Sequence, residues 1–232
     1  MSLTCVSCFF QVKGKHTDYF NWFANTLAIN CPYVFFTDNN TVDIIKQYRG
    51  ELPTHYIICE LNDLYMYQYK DRIATDPVHC PSIEVNMVWN EKIFMMEKAA
   101  NINPFQSEWF KWMDAGMSIY RHDKPPSCSF PIKERLIDLP TDKFIYSASD
   151  PYIPENIRED NYYHHISGTF LFHKNFIPTF VDVYKQYLEK LLNKNNIWTE
   201  QVIYTHIYKE HPELFYKLCD GYGTISLYLY GI

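Results

Sequence analysis

Asp114 closes the run Phe110-Lys111-Trp112-Met113-Asp114-Ala115-Gly116, in which aromatic and apolar residues lead to one acid, a small residue and a glycine. Such a run predicts a buried strand with the carboxylate at its carboxyl end, where open α/β sheets bind ligands. An unpaired charge among apolar residues is costly, so Asp114 needs a partner. A divalent cation carrying phosphate oxygens is one such partner, and an ordinary Asp-Gly turn is the competing reading. Asp38 ends a second apolar run, Tyr33-Val34-Phe35-Phe36-Thr37, and would face the same crevice. Asn39-Asn40-Thr41 follows it, so Asp38 could equally cap a turn or helix. Lys13, Lys15 and His16 come after the first strand, toward the same edge. An acid for a nucleoside, with a metal or cations for phosphates, suits a nucleotide diphosphate. Asn90 and Lys92, beside Trp89, could reach a ligand from the preceding helix, although a lysine there could also be a solvated surface cation. Glu200 and Gln201 open a late helix. Glu200 could stabilise the helix start, contact acceptor hydroxyls or act as a general base.

The elements that must position these residues alternate between strand and helix. Residues 3–12 read as a strand, 19–27 as a helix and 33–38 as a strand, which makes one βαβ unit and a parallel pair. A short helix over 41–48 and a strand over 55–59 follow. Residues 61–82 read as a helical stretch and an irregular loop. Residues 82–101 form the clearest helix, with Ile83, Met87, Phe94, Met95 and Ala99 at helical spacing. Strands are expected at 109–113, 144–147 and 166–172. Gly168 in the last of these would admit a ligand or another backbone at close range. Residues 150–163 read as a mobile surface segment, 176–193 and 199–209 as helices, and 215–232 as an aromatic tail packing back on the sheet. Neither a repeat nor a long linker divides the chain.

Composition narrows the classes. With 47% apolar and 21% charged residues, the 232-residue chain has a soluble globular profile. A net charge of -6 argues against nucleic acid as a partner. The seven cysteines are odd in number and scattered, which points to reduced thiols in a cytoplasm-like compartment. Cys5 and Cys8 have two-residue spacing but lack the second half of a zinc ribbon. His164 and His165 would point to opposite faces of a strand, against joint metal ligation. The start of the chain has no signal-peptide pattern, and no apolar run reaches the roughly 18 residues of a transmembrane helix. Most of the 20 tyrosines and 16 phenylalanines are expected in the core. Neither G-x-G-x-x-G nor a Walker loop occurs, against a dinucleotide dehydrogenase or P-loop enzyme. A G-x-S-x-G elbow is also absent, against an α/β-hydrolase.

The ordered blocks resemble a known family. They are Tyr-Val-Phe-Phe-Thr-Asp at 33–38, Val-Trp-Asn-Glu-Lys at 88–92, Asn-Pro-Phe at 103–105 and Phe-Lys-Trp-Met-Asp-Ala-Gly at 110–116. Ser-Gly-Thr-Phe-Leu-Phe at 167–172, Thr-Glu-Gln at 199–201 and Pro-Glu-Leu-Phe at 212–215 complete the series. The pattern is similar to the HtrL/YibB-type glycosyltransferases. That resemblance implies an α/β, GT-A-like fold: a Rossmann-like, mixed but mostly parallel central sheet flanked by helices. It implies one domain over 1–232, with a nucleotide-sugar-binding half (about 1–121) and an acceptor-binding half (about 122–232). The implied activity is sugar transfer from a nucleotide-diphosphate donor, a UDP-sugar, to an acceptor hydroxyl on a glycan or small molecule. Asp114 matches the first position of the Asp-x-Asp metal motif for Mn²⁺ or Mg²⁺, while Gly116 stands where its second acid would be. Asp38 would contact the uridine or ribose, Lys92 the diphosphate, and Glu200 or Gln201 the acceptor or anomeric carbon. The missing acid keeps open a catalytically silent carbohydrate- or protein-binding module on the same fold.

Overall fold

The structure is a computed structural model that describes residues 2–12, 19–192 and 199–232. Lys13, Lys15 and His16 lie outside the described residues. The strands are β1 (Leu3–Phe9), β2 (Tyr33–Thr37), β3 (Thr54–Ile58), β4 (Trp109–Trp112), β5 (Phe144–Ala148), β6 (Ile166–His173) and β7 (Phe215–Asp220). The α-helices are α1 (Tyr19–Thr26), α2 (Val42–Arg49), α3 (Ile83–Ile102), α4 (Ile177–Leu192), α5 (Glu200–Glu210) and α6 (Ile225–Tyr230). The strands form one seven-stranded sheet in the order β3-β2-β1-β4-β6-β5-β7. Four neighbouring pairs are parallel, and β6 runs antiparallel to both β4 and β5. The mixed, mostly parallel sheet expected from the sequence is therefore present.

Continuous apolar runs form these strands because both sheet faces are covered. Val6, Val34, Phe36, Phe110 and Trp112 face α3, α4 and α5. Their immediate neighbours Cys5, Tyr33, Phe35 and Trp109 face the opposite layer with α1, α2 and α6. The period-two alternation of a strand also separates Cys5 from Cys8, because side chains three apart point to opposite faces. All seven cysteines are free. Among the described residues, no helix is long and apolar enough to cross a membrane.

Two segments depart from the sequence reading. The tail supplies a strand, β7, that completes the sheet beside β5, followed by α6. The 150–163 segment is irregular, but it is pinned to the body rather than free on the surface. Ile157 is buried and its carbonyl accepts from Lys209 Nζ at 2.9 Å, while Tyr152 packs edge-on against Tyr208.

Helix α3 is well bounded. Ser82 Oγ accepts from the Val85 N–H at 3.2 Å, and Asn103 adopts a left-handed conformation at the other end. Its Glu91 is buried and accepts from the backbone N–H groups of Tyr65 at 3.0 Å and Met66 at 2.8 Å. Burial outweighs these bonds and pushes the carboxyl up from 4.5 to about 7. The folded state thus holds this proton more tightly than the unfolded chain does. The stabilising contribution is complete below the unfolded value and is lost as pH rises through the folded one. The loss should be at most about 3 kcal/mol. Urea melts of wild type and Glu91→Gln across that window should diverge, with wild type falling more steeply. Parallel profiles would assign Glu91 no part in the pH dependence.

Candidate active site

The sheet sets the position of the site. β1 sends its following chain toward β2 on one side, and β4 arrives on its other side from the crossover through α3. A crevice opens at the carboxyl ends of such strands, where the order reverses. A cleft of about 1010 Å³, open mouth included, lies there. Cys8, Phe9, Phe10 and Val12 line it from the end of β1, and Trp112, Asp114, Ala115 and Gly116 from the end of β4. Val88, Trp89 and Lys92 enter from α3, Thr199, Glu200 and Gln201 from the start of α5, and Tyr222 from the turn after β7.

Lys92 links the two acids. Its Nζ lies 3.1 Å from Asp114 Oδ1 and 2.7 Å from Glu200 Oε1. It also donates to the Gly168 carbonyl at 3.4 Å and sits 5.4 Å from the centre of the Trp112 ring. Lys92 is only 4% exposed and Glu200 1%. The surface-cation reading of Lys92 is thereby overturned. Burial alone would lower the Lys92 pKa, but the charges of Asp114 and Glu200 hold it well above its ordinary value. Burial raises the Glu200 pKa, and the Lys92 ammonium opposes that rise. Glu200 Oε2 is buried without a hydrogen-bond partner among the described residues. Asp114 Oδ1 also accepts from Trp112 Nε1 at 2.8 Å, and Oδ2 from Tyr222 OH at 3.4 Å.

Gly168 makes room for this cluster. A Cβ added there would lie 2.9 Å from Glu200 Oε1 and 3.2 Å from both Lys92 Nζ and Tyr222 OH. The space beside this glycine is taken by the side chains of the ion-pair cluster and not by another backbone. Gly168→Ala should cost about 1–3 kcal/mol of stability through overpacking. Urea unfolding checks this, and an unchanged midpoint would mean that the cluster shifts freely.

Gln201 joins the cleft wall, with its amide 3.3 Å from both His164 Nδ1 and the Ile166 carbonyl. The other two sequence candidates with described positions lie elsewhere. Asn90 is fully buried and points away from the cleft. Its Nδ2 donates to the Asn86 carbonyl at 2.8 Å and its Oδ1 accepts from Tyr184 OH on α4 at 3.0 Å. Two helical positions are roughly 200° apart, so Asn90 and Lys92 cannot face the same ligand. Asp38 ends β2, one strand beyond the switch point, and is absent from the cleft lining. Its Oδ1 accepts from the N–H groups of Asn40 and Thr41, both at 2.9 Å, and from Thr41 Oγ1 at 2.8 Å. That is the turn-capping alternative.

Three cleft residues escaped the sequence reading. Tyr222 lies between Gly221 and Gly223, whose φ values are 100° and 80°. Two glycines in conformations that L-residues rarely adopt flag a specialised turn, and this signal was legible. Tyr162 was hidden in the irregular 150–163 segment, and its ring stacks on His79 with centroids 4.1 Å apart. Arg121 follows the 3₁₀ turn Ser118–Tyr120 and lies over the Trp22 ring at 3.9 Å. Its Nε is buried without a hydrogen-bond partner among the described residues. A buried unsatisfied donor costs about 1–3 kcal/mol, and more when charged.

The residues present do not form a ready site for a divalent ion. The described residues contain no group of three His, Cys, Asp or Glu side chains placed to hold a metal. At Gly116, where a second motif acid would stand, an added Cβ would lie 3.1 Å from Trp22 Cε3 and 3.2 Å from Tyr19 Cδ1. Aromatic rings from α1 fill that space.

Comparisons with known proteins follow the same architecture. The model of a family described as "Bacterial protein of unknown function (HtrL_YibB)" matches residues 74–224. No curated protein matches the sequence. Among solved structures, mouse xyloside xylosyltransferase 1 in its apo form is similar with a TM-score of 0.53 and 14% identity, over 94% of this chain and 84% of that one. The galactosyltransferase LgtC, in complex with donor and acceptor sugar analogs, is similar with a TM-score of 0.50 and 9% identity, over 95% of this chain and 73% of that one. At such identities the likeness establishes a GT-A-like fold.

Proposed function

The chain belongs to the HtrL_YibB family, and we propose that it transfers a sugar from a nucleotide-diphosphate donor, a UDP-sugar, to an acceptor hydroxyl. The observation that carries this reading is the Asp114–Lys92–Glu200 cluster beneath a cleft at the switch point of a GT-A-like sheet. A structural ion pair could sit anywhere in the core, whereas this one lines a cavity and leaves a buried carboxylate oxygen unpartnered. Perturbed titratable groups that converge in a cleft are characteristic of working sites.

In the proposed reaction the bond between the anomeric carbon and the diphosphate oxygen breaks, and its electron pair stays on that oxygen. The acceptor oxygen bonds to the anomeric carbon and gives its proton to the Glu200 carboxylate, which belongs to the cleft lining. A raised carboxyl pKa suits a group that must take up a proton. Lys92 holds Glu200 and Asp114 at fixed positions, so little reorganisation accompanies transfer. Gln201, next to Glu200, is placed to orient the acceptor.

A screen of nucleotide-sugar hydrolysis across common donors, with calorimetry of UDP in the presence and absence of Mn²⁺, tests this reading. Turnover of one donor is the expected result. Absence of both nucleotide binding at millimolar concentration and hydrolysis would overturn it. The silent-module alternative requires ligand binding without turnover of any donor.

A further inference from the structure

We propose that the donor diphosphate is held by the Arg121 guanidinium, stacked on Trp22, and that no divalent ion bridges it to Asp114. This inference rests on the nucleotide-sugar reading above and concerns how the same cleft manages the leaving group's charge.

Asp114 is poorly placed to hold a divalent ion. The Lys92 ammonium and the Trp112 indole N–H already occupy its Oδ1, and Tyr222 OH meets its Oδ2. Mg²⁺ demands near-octahedral oxygen coordination, and dehydrating it for one committed carboxylate is unfavourable. A fixed ammonium 3.1 Å from Oδ1 would also repel an incoming dication.

Arg121 shows the opposite condition. Arg121 lines the cleft, its guanidinium carbon lies 3.9 Å over the centre of the Trp22 ring, and its buried Nε–H has no acceptor among the described residues. A guanidinium edge presents paired donors that match two phosphate oxygens, and stacking fixes that edge in advance. The cluster of Asp114, Glu200 and Lys92 carries a net charge of -1, so an incoming diphosphate requires a cation outside it. Among the described residues, Arg121 is the cation of the cleft lining outside that cluster.

One indole connects the two conditions. Trp22 fills the space beside Gly116 and carries Arg121 on its ring. An acid at position 116 would press its Cβ to 3.1 Å from the Trp22 ring that carries the guanidinium. The glycine and the arginine therefore form one arrangement, in which an indole-mounted cation takes the role of an acid-held metal. When the anomeric bond breaks, the electron pair left on the nucleoside diphosphate is stabilised by Arg121.

Calorimetry on the full chain with UDP, CDP, GDP and ADP, in EDTA and then in Mn²⁺, tests the proposal. One nucleotide is expected to bind in EDTA, with little gain from Mn²⁺. Arg121→Ala should weaken that binding by about tenfold or more, and Arg121→Lys by an intermediate amount, because lysine keeps the charge without the fork. Melting curves of the variants confirm that they remain folded. Binding that requires Mn²⁺ would overturn this proposal and leave the donor reading standing, as would EDTA binding that Arg121→Ala does not weaken. Failure of every nucleotide in every condition would instead overturn the donor reading, and this proposal with it.

Discussion

Lys92→Met should destabilise the protein by about 3–5 kcal/mol, because removing one partner leaves buried opposite charges uncompensated. Glu200 dominates the effect. It is 1% exposed, its Oε1 loses the ammonium at 2.7 Å, and its Oε2 already lacks a hydrogen bond. The Asp114 side chain is 28% exposed, so water relieves part of its loss. Methionine matches the lysine stem in length, which separates loss of charge from loss of volume. Without the ammonium, the Glu200 carboxyl should rise further and take up a proton on folding. The variant should therefore recover stability as pH falls, and Lys92→Met combined with Glu200→Gln should be more stable than Lys92→Met alone. Urea unfolding of the single and double variants provides the check. Additive losses would show that Lys92 and Glu200 act independently, contrary to the geometry.

Asp114→Asn should reduce donor hydrolysis by about 10²–10³-fold, the usual cost of losing one preorganised charged or hydrogen-bonding group at a reacting centre. The substitution preserves size and an oxygen for the Trp112 and Lys92 donors, so the fold should persist. It removes the negative charge that helps hold Lys92 protonated and in place. The site then loses the fixed alignment of Lys92 and Glu200 rather than its cavity. Single-turnover hydrolysis of the donor, with a melting curve as control, measures the effect. Wild-type turnover in Asp114→Asn would remove Asp114 from the mechanism.

The elements were largely legible because their signals are local. Apolar runs at 3–12, 33–38 and 109–113 predict strands, observed at Leu3–Phe9, Tyr33–Thr37 and Trp109–Trp112, and the spacing of Ile83, Met87, Phe94 and Ala99 predicts α3. Asp114 was legible for the same reason, since an acid ending an apolar run must lie at a strand end. β7 was not, because Phe-Tyr-Lys-Leu-Cys-Asp has one buried residue and becomes a strand by pairing with β5, about seventy residues earlier in the chain. Asp38 and Asn90 show the limit from the other direction. Each has a residue type suited to ligand contact, yet one closes its own turn and the other serves the interface with α4.

The alternation of strand and helix and the carboxylates at strand ends follow from the sequence, because those patterns span a few consecutive residues. Tertiary structure alone decided which of them meet. Lys92, Asp114, Gly168 and Glu200 come from four separate elements, and only the sheet order β1-β4-β6, with α3 and α5 packed on one face, brings them within ion-pair range. Burial then decides their chemistry. The same lysine would be an ordinary surface cation in water, but beside two carboxylates in the core it is held charged and fixed.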